Sequence, residues 1–113
     1  MNKHEFTIQR KPKAKGRPRA TRTGHVYTDA STREYETAVK EAYKLSGGPK
    51  FEGPVQMTIN VYSHYADVTI ELIENESKLR GDLDNYVKSI LDGLNKVAYL
   101  DDKQVHKIEA HKR

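Results

Sequence analysis

The hydrophobic pattern of this chain predicts an α+β domain, two helices on one mixed β-sheet, in the order β-α-β-β-α-β. Three observations carry that expectation. Val55, Met57, Ile59 and Val61 alternate with Gln56, Thr58, Asn60 and Tyr62, the period of a half-buried strand. Tyr35, Ala38, Val39 and Ala42 recur at helical spacing, and so do Val87, Ile90, Leu91 and Leu94. The strand and helix signals interleave along one short chain, which suits a single sheet with helices packed on it.

The elements follow in order. Residues 4–9, HEFTIQ, alternate enough for a short strand. The basic run after them is broken by Pro12, Gly16 and Pro18 and should be a loop. Ser31 and Glu34 have the capping-box spacing, Ser at the cap and Glu three residues in, so a helix is expected behind them. Gly47, Gly48 and Pro49 should end it. After the strand at 55–62, the β-branched stretch Val68–Ile73 can pair with it as a hairpin through 64–66, and 74–81 reads as loop. A second helix runs from about Asp84, and Gln104–His111 is expected as a final strand.

Composition narrows the function. The chain has 113 residues, 35% hydrophobic and 32% charged, so one domain (1–113) with a thin core is expected, and burying surface in a dimer would help it. The longest apolar run is Val97-Ala98-Tyr99-Leu100, which leaves no bilayer span, and nothing near Met1 reads as a secretory signal. A cytoplasmic protein without a membrane role is expected. With no cysteine there is no disulfide, thiolate zinc site or cysteine nucleophile, and none of the five histidines falls in an HxxxH or HExxH spacing. The net charge is only +4, but it is unevenly spread: residues 10–22, RKPKAKGRPRATR, hold seven basic residues and no acidic one. Residues 66–76, ADVTIELIENE, hold four acidic and no basic one. A polyanionic partner met by one face is the reading that fits.

The segment 81–105, GDLDNYVKSILDGLNKVAYLDDKQV, carries the chemistry. If Asp82-Leu83-Asp84 is extended, both carboxylates point to one side and Leu83 to the other. Lys88 is four residues from both Asp84 and Asp92. From Asp84 to Val97 is about 20 Å along a helix. Five extended residues from Val97 reach at most about 17 Å, so a chain doubling back can return Asp102 close to Asp84. Only one of Asp101 and Asp102 need face the site. Asp92 lies about 12 Å up the axis from Asp84, too far to share a metal, so a supporting role suits it, as it does Asn85 on the same polar side. Three converging carboxylates without cysteine or histidine suit Mg²⁺, and substrate phosphate would complete the shell. Beside a basic loop, that points to phosphodiester hydrolysis. Each element also has a purely structural explanation. Aspartates favour helix starts, with Asp84 a plausible N-cap, and Lys88 can simply form i,i+4 ion pairs worth about 0.2–0.5 kcal/mol each.

This segment resembles the catalytic stretch of the RusA family of Holliday junction resolvases: the DLDN start, the lysine four positions after the second Asp, the LDGLN turn and the DDxQV end. A looser likeness covers Gly16-Arg17-Pro18-Arg19 and Tyr27–Tyr35. The resemblance implies a homodimeric endodeoxyribonuclease that binds four-way branched DNA and makes paired, symmetric nicks with Mg²⁺ or Mn²⁺, in recombination and repair. By position it makes Asp82, Asp84 and Asp102 the metal ligands and Lys88 the catalytic lysine. It puts DNA contacts on the basic loop at about 10–28, with Lys13, Lys15, Arg17, Arg19 and Arg22 the candidates. Two rivals remain: a non-catalytic nucleic-acid-binding protein using the basic loop alone, and a general branched-DNA or flap nuclease. The intact Asp82/Asp84/Lys88/Asp102 set argues against mere binding, since carboxylates repel phosphate unless a metal intervenes.

Overall fold

The computed structural model describes residues 2–15, 19–20, 26–27 and 29–113. They belong to two units, Met1–Glu74 and Asn75–Arg113. In chain order the elements are β1 (Lys3–Ile8), β2 (Arg19–Ala20), β3 (Val26–Tyr27), α1 (Ala30–Leu45), β4 (Val55–Val61), β5 (Ala66–Leu72), α2 (Leu83–Leu94) and a 3₁₀ helix, Asp102–Gln104. The class is α+β, as the sequence predicts.

In the first unit a three-stranded sheet runs in the order β1-β5-β4. The β4–β5 hairpin forms where the alternation places it, its turn closed by the Tyr62 N–H on the Tyr65 carbonyl at 2.9 Å. Both ladders are antiparallel, so the sheet is not the mixed one expected. The strand expected over Gln104–His111 is absent too: 105–113 has no regular structure. The physical reason is legible in the residues. Val105 and Ile108 are three apart, so an extended chain would send them to opposite faces and leave no apolar face to bury.

Tyr35, Val39 and Ala42 of α1, together with Phe6 and Ile70 of the sheet, pack against a core of Ile8, Ala66 and Val68. The register explains the grouping: Phe6 is paired with Val68 and Ile8 with Ala66. The helix begins earlier than the Ser31 cap predicts. Asp29 is the N-cap residue, its carbonyl accepting the Arg33 N–H at 3.1 Å, and the Ser31 hydroxyl donates to the Asp29 carboxylate at 2.6 Å. Ala30 is an excellent helix former, so the helix runs back through it to another favoured cap type. The other end is as expected. Gly47 adopts φ +75°, the Gly48 N–H reaches the Tyr43 carbonyl at 3.2 Å, and Gly47 N–H reaches that of Lys44 at 3.0 Å. These two bonds satisfy carbonyls the helix end would leave open. The Tyr43 ring, edge-on to His4 and Phe6, fills the space where any Cβ on Gly48 would sit. β4 departs from the half-buried expectation: Met57, Ile59 and Val61 are 52%, 55% and 67% exposed.

The second unit is built from α2, the turn after it and the 3₁₀ helix. None of its residues is buried. Leu83, Val87 and Leu91 are half-buried, while Ile90 stays 63% exposed. Among the described residues no helix is long and apolar enough to cross a membrane.

Candidate active site

The start of α2 shows the surroundings of the first two aspartates. Asp82, not Asp84, is the N-cap residue, with φ −72° and ψ 138°. Its main-chain carbonyl accepts the N–H groups of Asn85 and Tyr86 at 3.1 and 3.2 Å. Its carboxylate makes no capping hydrogen bond. Asp84 lies inside the first helical turn, so the two carboxylates are not on an extended Asp-Leu-Asp segment, and the alternation argument does not apply. There Asp84 meets the positive end of the helix dipole, an interaction worth about 0.3–1 kcal/mol. Lys88 follows one turn later. Among the described residues it forms no ion pair with Asp84 or Asp92 within 4.0 Å; the three pairs present are elsewhere. The structural explanations for Asp82 as a side-chain cap and Lys88 as an ion-pair former are therefore not realised. Asp82, Asp84, Asn85, Lys88 and Asp92 are all exposed. Gly81, Asp82, Asn85, Tyr86 and Ser89 line a recess of about 240 Å³ at this end of the helix.

Past the other end of α2, the chain turns back through Lys96, which takes φ +67°, with Asn95 and Tyr99 bridged. The Tyr99 hydroxyl donates to the Leu91 carbonyl at 2.8 Å and ties the returning chain to the helix. Desolvation raises the Tyr99 phenol above its ordinary value, and the charges of Asp102, Asp92 and Asp101 push it further the same way. Asp101 and Asp102 then separate by role. The Asp101 carboxylate accepts the Lys103 N–H at 2.9 Å, while the Gln104 side-chain oxygen takes the N–H groups of Leu100 and Asp101 at 2.7 and 3.1 Å. This reciprocal capping box occupies Asp101 and leaves the neighbouring Asp102 carboxylate exposed.

The fit to a hard divalent ion is thus one of donor chemistry. Asp82, Asp84 and Asp102 present exposed carboxylate oxygens, the ligand type Mg²⁺ prefers, and Mg²⁺ commonly needs only one or two carboxylates beside water and substrate phosphate. The closure of all three aspartates predicted from chain lengths is not seen: among the described residues no three His, Asp or Glu side chains are grouped closely enough to hold a metal. Asp102 instead shares the surroundings of Tyr99 with Asp92 and Asp101. Sequence reasoning missed Tyr86, Tyr99 and Gln104. The spacing of Asp101 and Gln104 is a capping box readable from sequence, and Gly81 and Tyr86 stand at the positions just before the cap and four residues into the helix, a known contact pair.

The basic segment belongs to the first unit. Lys13 and Lys15 are exposed, and Lys15 pairs with Glu36 on α1 at 3.4 Å. Both partners are largely in solvent, so that pair is worth little and is readily exchanged for a phosphate. Within the expected loop a two-residue antiparallel ladder sets Arg19 opposite Tyr27 and Ala20 opposite Val26. Arg17 and Arg22 lie outside the described residues.

A family model described as endodeoxyribonuclease RusA matches residues 9–113. The chain belongs to the RusA family. It is also 31% identical over 121 residues to the uncharacterized protein YqaN of Bacillus subtilis (strain 168), the match covering 96% of this chain and 85% of that protein. No solved structure matches it. The family match takes in the basic segment and the whole of α2 and the turn beyond it, so the residues singled out above all lie inside the RusA region. Membership carries endodeoxyribonuclease chemistry at the family level and agrees with the resemblance read from the DLDN and DDxQV motifs.

Proposed function

We propose that this RusA-family protein is a Mg²⁺-dependent Holliday junction resolvase, a cytoplasmic homodimer that makes paired nicks in four-way DNA during recombination and repair. Residues 1–113 serve it as one endonuclease domain. The observation that carries the reading is the state of Asp82 and Lys88: each has a local structural partner available to it by spacing, and neither side chain takes it. A carboxylate and an ammonium kept free and exposed within two turns of one helix are suited to an ion and a phosphate.

Of the three aspartates the family likeness assigns, Asp82 and Asp84 would hold the ion with water and substrate phosphate, Mn²⁺ being an acceptable substitute, while Asp102 is not grouped with both of them. Once bound, the ion would activate water and stabilise charge building on phosphorus. The chain's own residues do the rest. Lys88 binds a non-bridging phosphate oxygen or steadies the leaving oxygen, a positive charge placed where negative charge develops. Asp101, locked in its capping box, fixes the direction of the chain beside Asp102. Lys13, Lys15, Arg17, Arg19 and Arg22 hold the DNA backbone and release counterions as they do so. A dimer follows from the substrate: two matched nicks need two sites, and a C₂ pair supplies them.

The test is incubation with a synthetic four-way junction, a flap substrate and a linear duplex, each with and without Mg²⁺. Paired nicks in the junction alone, and only with metal, are expected. Metal-independent binding without cutting would favour the rival, a non-catalytic nucleic-acid-binding protein. That rival draws support from the absence of a three-carboxylate group among the described residues. Equal cutting of flaps would make it a general branched-DNA nuclease.

A further inference from the structure

We infer that Gly81 and Tyr86 form a clasp that orients Asp82, making Tyr86 a positioning residue for the metal-binding carboxylate; this rests on the nuclease reading above. The Tyr86 hydroxyl accepts the Gly81 N–H at 3.2 Å. The ring lies so close that a Cβ built on Gly81 would come within 2.8 Å of its carbon and oxygen atoms. Gly81 immediately precedes the N-cap residue and Tyr86 is the fourth residue of α2. A contact between these two positions sets the angle at which a chain enters its helix. Here the usual apolar pair is replaced by a ring over bare backbone, with a hydrogen bond added.

The residue between the two halves of the clasp is Asp82. Its side chain has no capping bond, so what the clasp sets is the direction in which the Asp82 Cα–Cβ bond leaves the backbone. That backbone is fixed on the helix side by the Asn85 and Tyr86 N–H groups and on the other side by Tyr86 through Gly81. Tyr86 therefore grips the chain on both sides of the carboxylate, once with its main-chain N–H and once with its hydroxyl. The same residues wall the recess that Asp82 borders, with Asn85 and Ser89 supplying its polar lining. A group that holds a metal ligand in place typically governs affinity by 10-fold or more.

The experiment measures Mn²⁺ binding by electron paramagnetic resonance on the full chain, with the amide exchange of Gly81 followed by NMR. Tyr86→Phe keeps the ring and removes only the hydroxyl, so the fold should survive. It should weaken Mn²⁺ binding roughly tenfold and speed exchange at Gly81, with the thermal midpoint nearly unchanged. Gly81→Ala should weaken binding to a similar degree, because its Cβ must displace the ring. Combined with Tyr86→Phe it should add little, since both break one contact. If Asp82→Asn abolishes Mn²⁺ binding while Tyr86→Phe and Gly81→Ala both retain wild-type affinity, the clasp is overturned and the nuclease reading stands. Faster Gly81 exchange with unaltered Mn²⁺ affinity overturns it equally. If the wild-type chain binds no Mn²⁺ and cuts no junction, the nuclease reading falls and takes the inference with it.

Discussion

The two units of this protein are held together by different means. Met1–Glu74 is joined by long-range pairing: β1 and β5 meet across more than fifty residues of chain, and Ile8, Ala66 and Val68 are buried between that sheet and α1. Asn75–Arg113 buries no residue and relies mostly on short-range hydrogen bonds, Tyr86 to Gly81, Tyr99 to Leu91 and Gln104 to the two N–H groups before its own turn. The difference teaches where this chain puts its chemistry. The cored unit carries the basic segment, the proposed DNA contact, which would need charge but little precision. The uncored unit carries the proposed site residues Asp82, Asp84, Lys88 and Asp102, whose charged ends are all exposed. Regions with few buried apolar contacts open most easily, so these hydrogen bonds are what order the backbone around the proposed site.

The strongest way to break the comparison is at the carboxylates. Asp82→Asn and Asp84→Asn should each lower junction cleavage by several orders of magnitude, with junction binding retained or tightened because carboxylate no longer faces phosphate. Lys88→Ala should also abolish cutting but spare metal binding. Asp92→Asn should be milder. Nicking rates and gel shifts on one junction check all four, and near wild-type cutting by both aspartate variants would reduce them to helix-start residues.

Next in size is the contrast in packing. Ile8→Ala should destabilise the first unit by about 2–4 kcal/mol, because Ile8 is 4% exposed. Ile90→Ala, at an exposed position of α2, should cost the second unit less than about 1 kcal/mol. Hydrogen exchange resolved by residue, rather than one melting curve, separates the two. Comparable losses at both sites would mean that α2 is as well packed as the sheet.

A smaller effect sharpens the role of the basic segment. Replacing Arg17 and Arg19 together by Ala should weaken junction binding and reduce the dependence of log affinity on log salt by roughly two units, one per lost phosphate contact. An unaltered slope would move the DNA surface elsewhere. The smallest effect is in alkali. The Tyr99 phenol is raised in the folded chain, so its contribution is fully present below the unfolded value of about 10 and is lost as pH rises beyond it. Urea melts followed up to about pH 11 should show a decline that Tyr99→Phe removes, and a decline that persists in the variant belongs to other groups.

How much of this was legible beforehand varies with range. Both helices, the β4–β5 hairpin and the glycine stop of α1 were readable because each follows from residues within one or two turns of each other. The helix starts were misplaced by one or two residues. Several residues in a row were acceptable caps, and local chemistry does not choose among Asp29 and Ser31, or Asp82 and Asp84. At the proposed site, the motif names candidate residues but not their states. That Asp82 leaves its own helix uncapped, or that Asp101 rather than Asp102 is consumed by a capping box, depends on backbone angles that no residue type fixes.

The sequence by itself determined the class and the family and singled out the proposed site residues, because periodicity, turn chemistry and the spacing of DLDN, Lys88 and DDxQV are all written locally. Only the tertiary structure decided the rest. It set β5 between β1 and β4, since strand order depends on which distant edges meet. It left β4's apolar row open, since alternation says which side chains share a face but not whether anything covers it. It also closed Tyr86 onto Gly81, where the absence of one Cβ becomes meaningful only once a ring occupies its place.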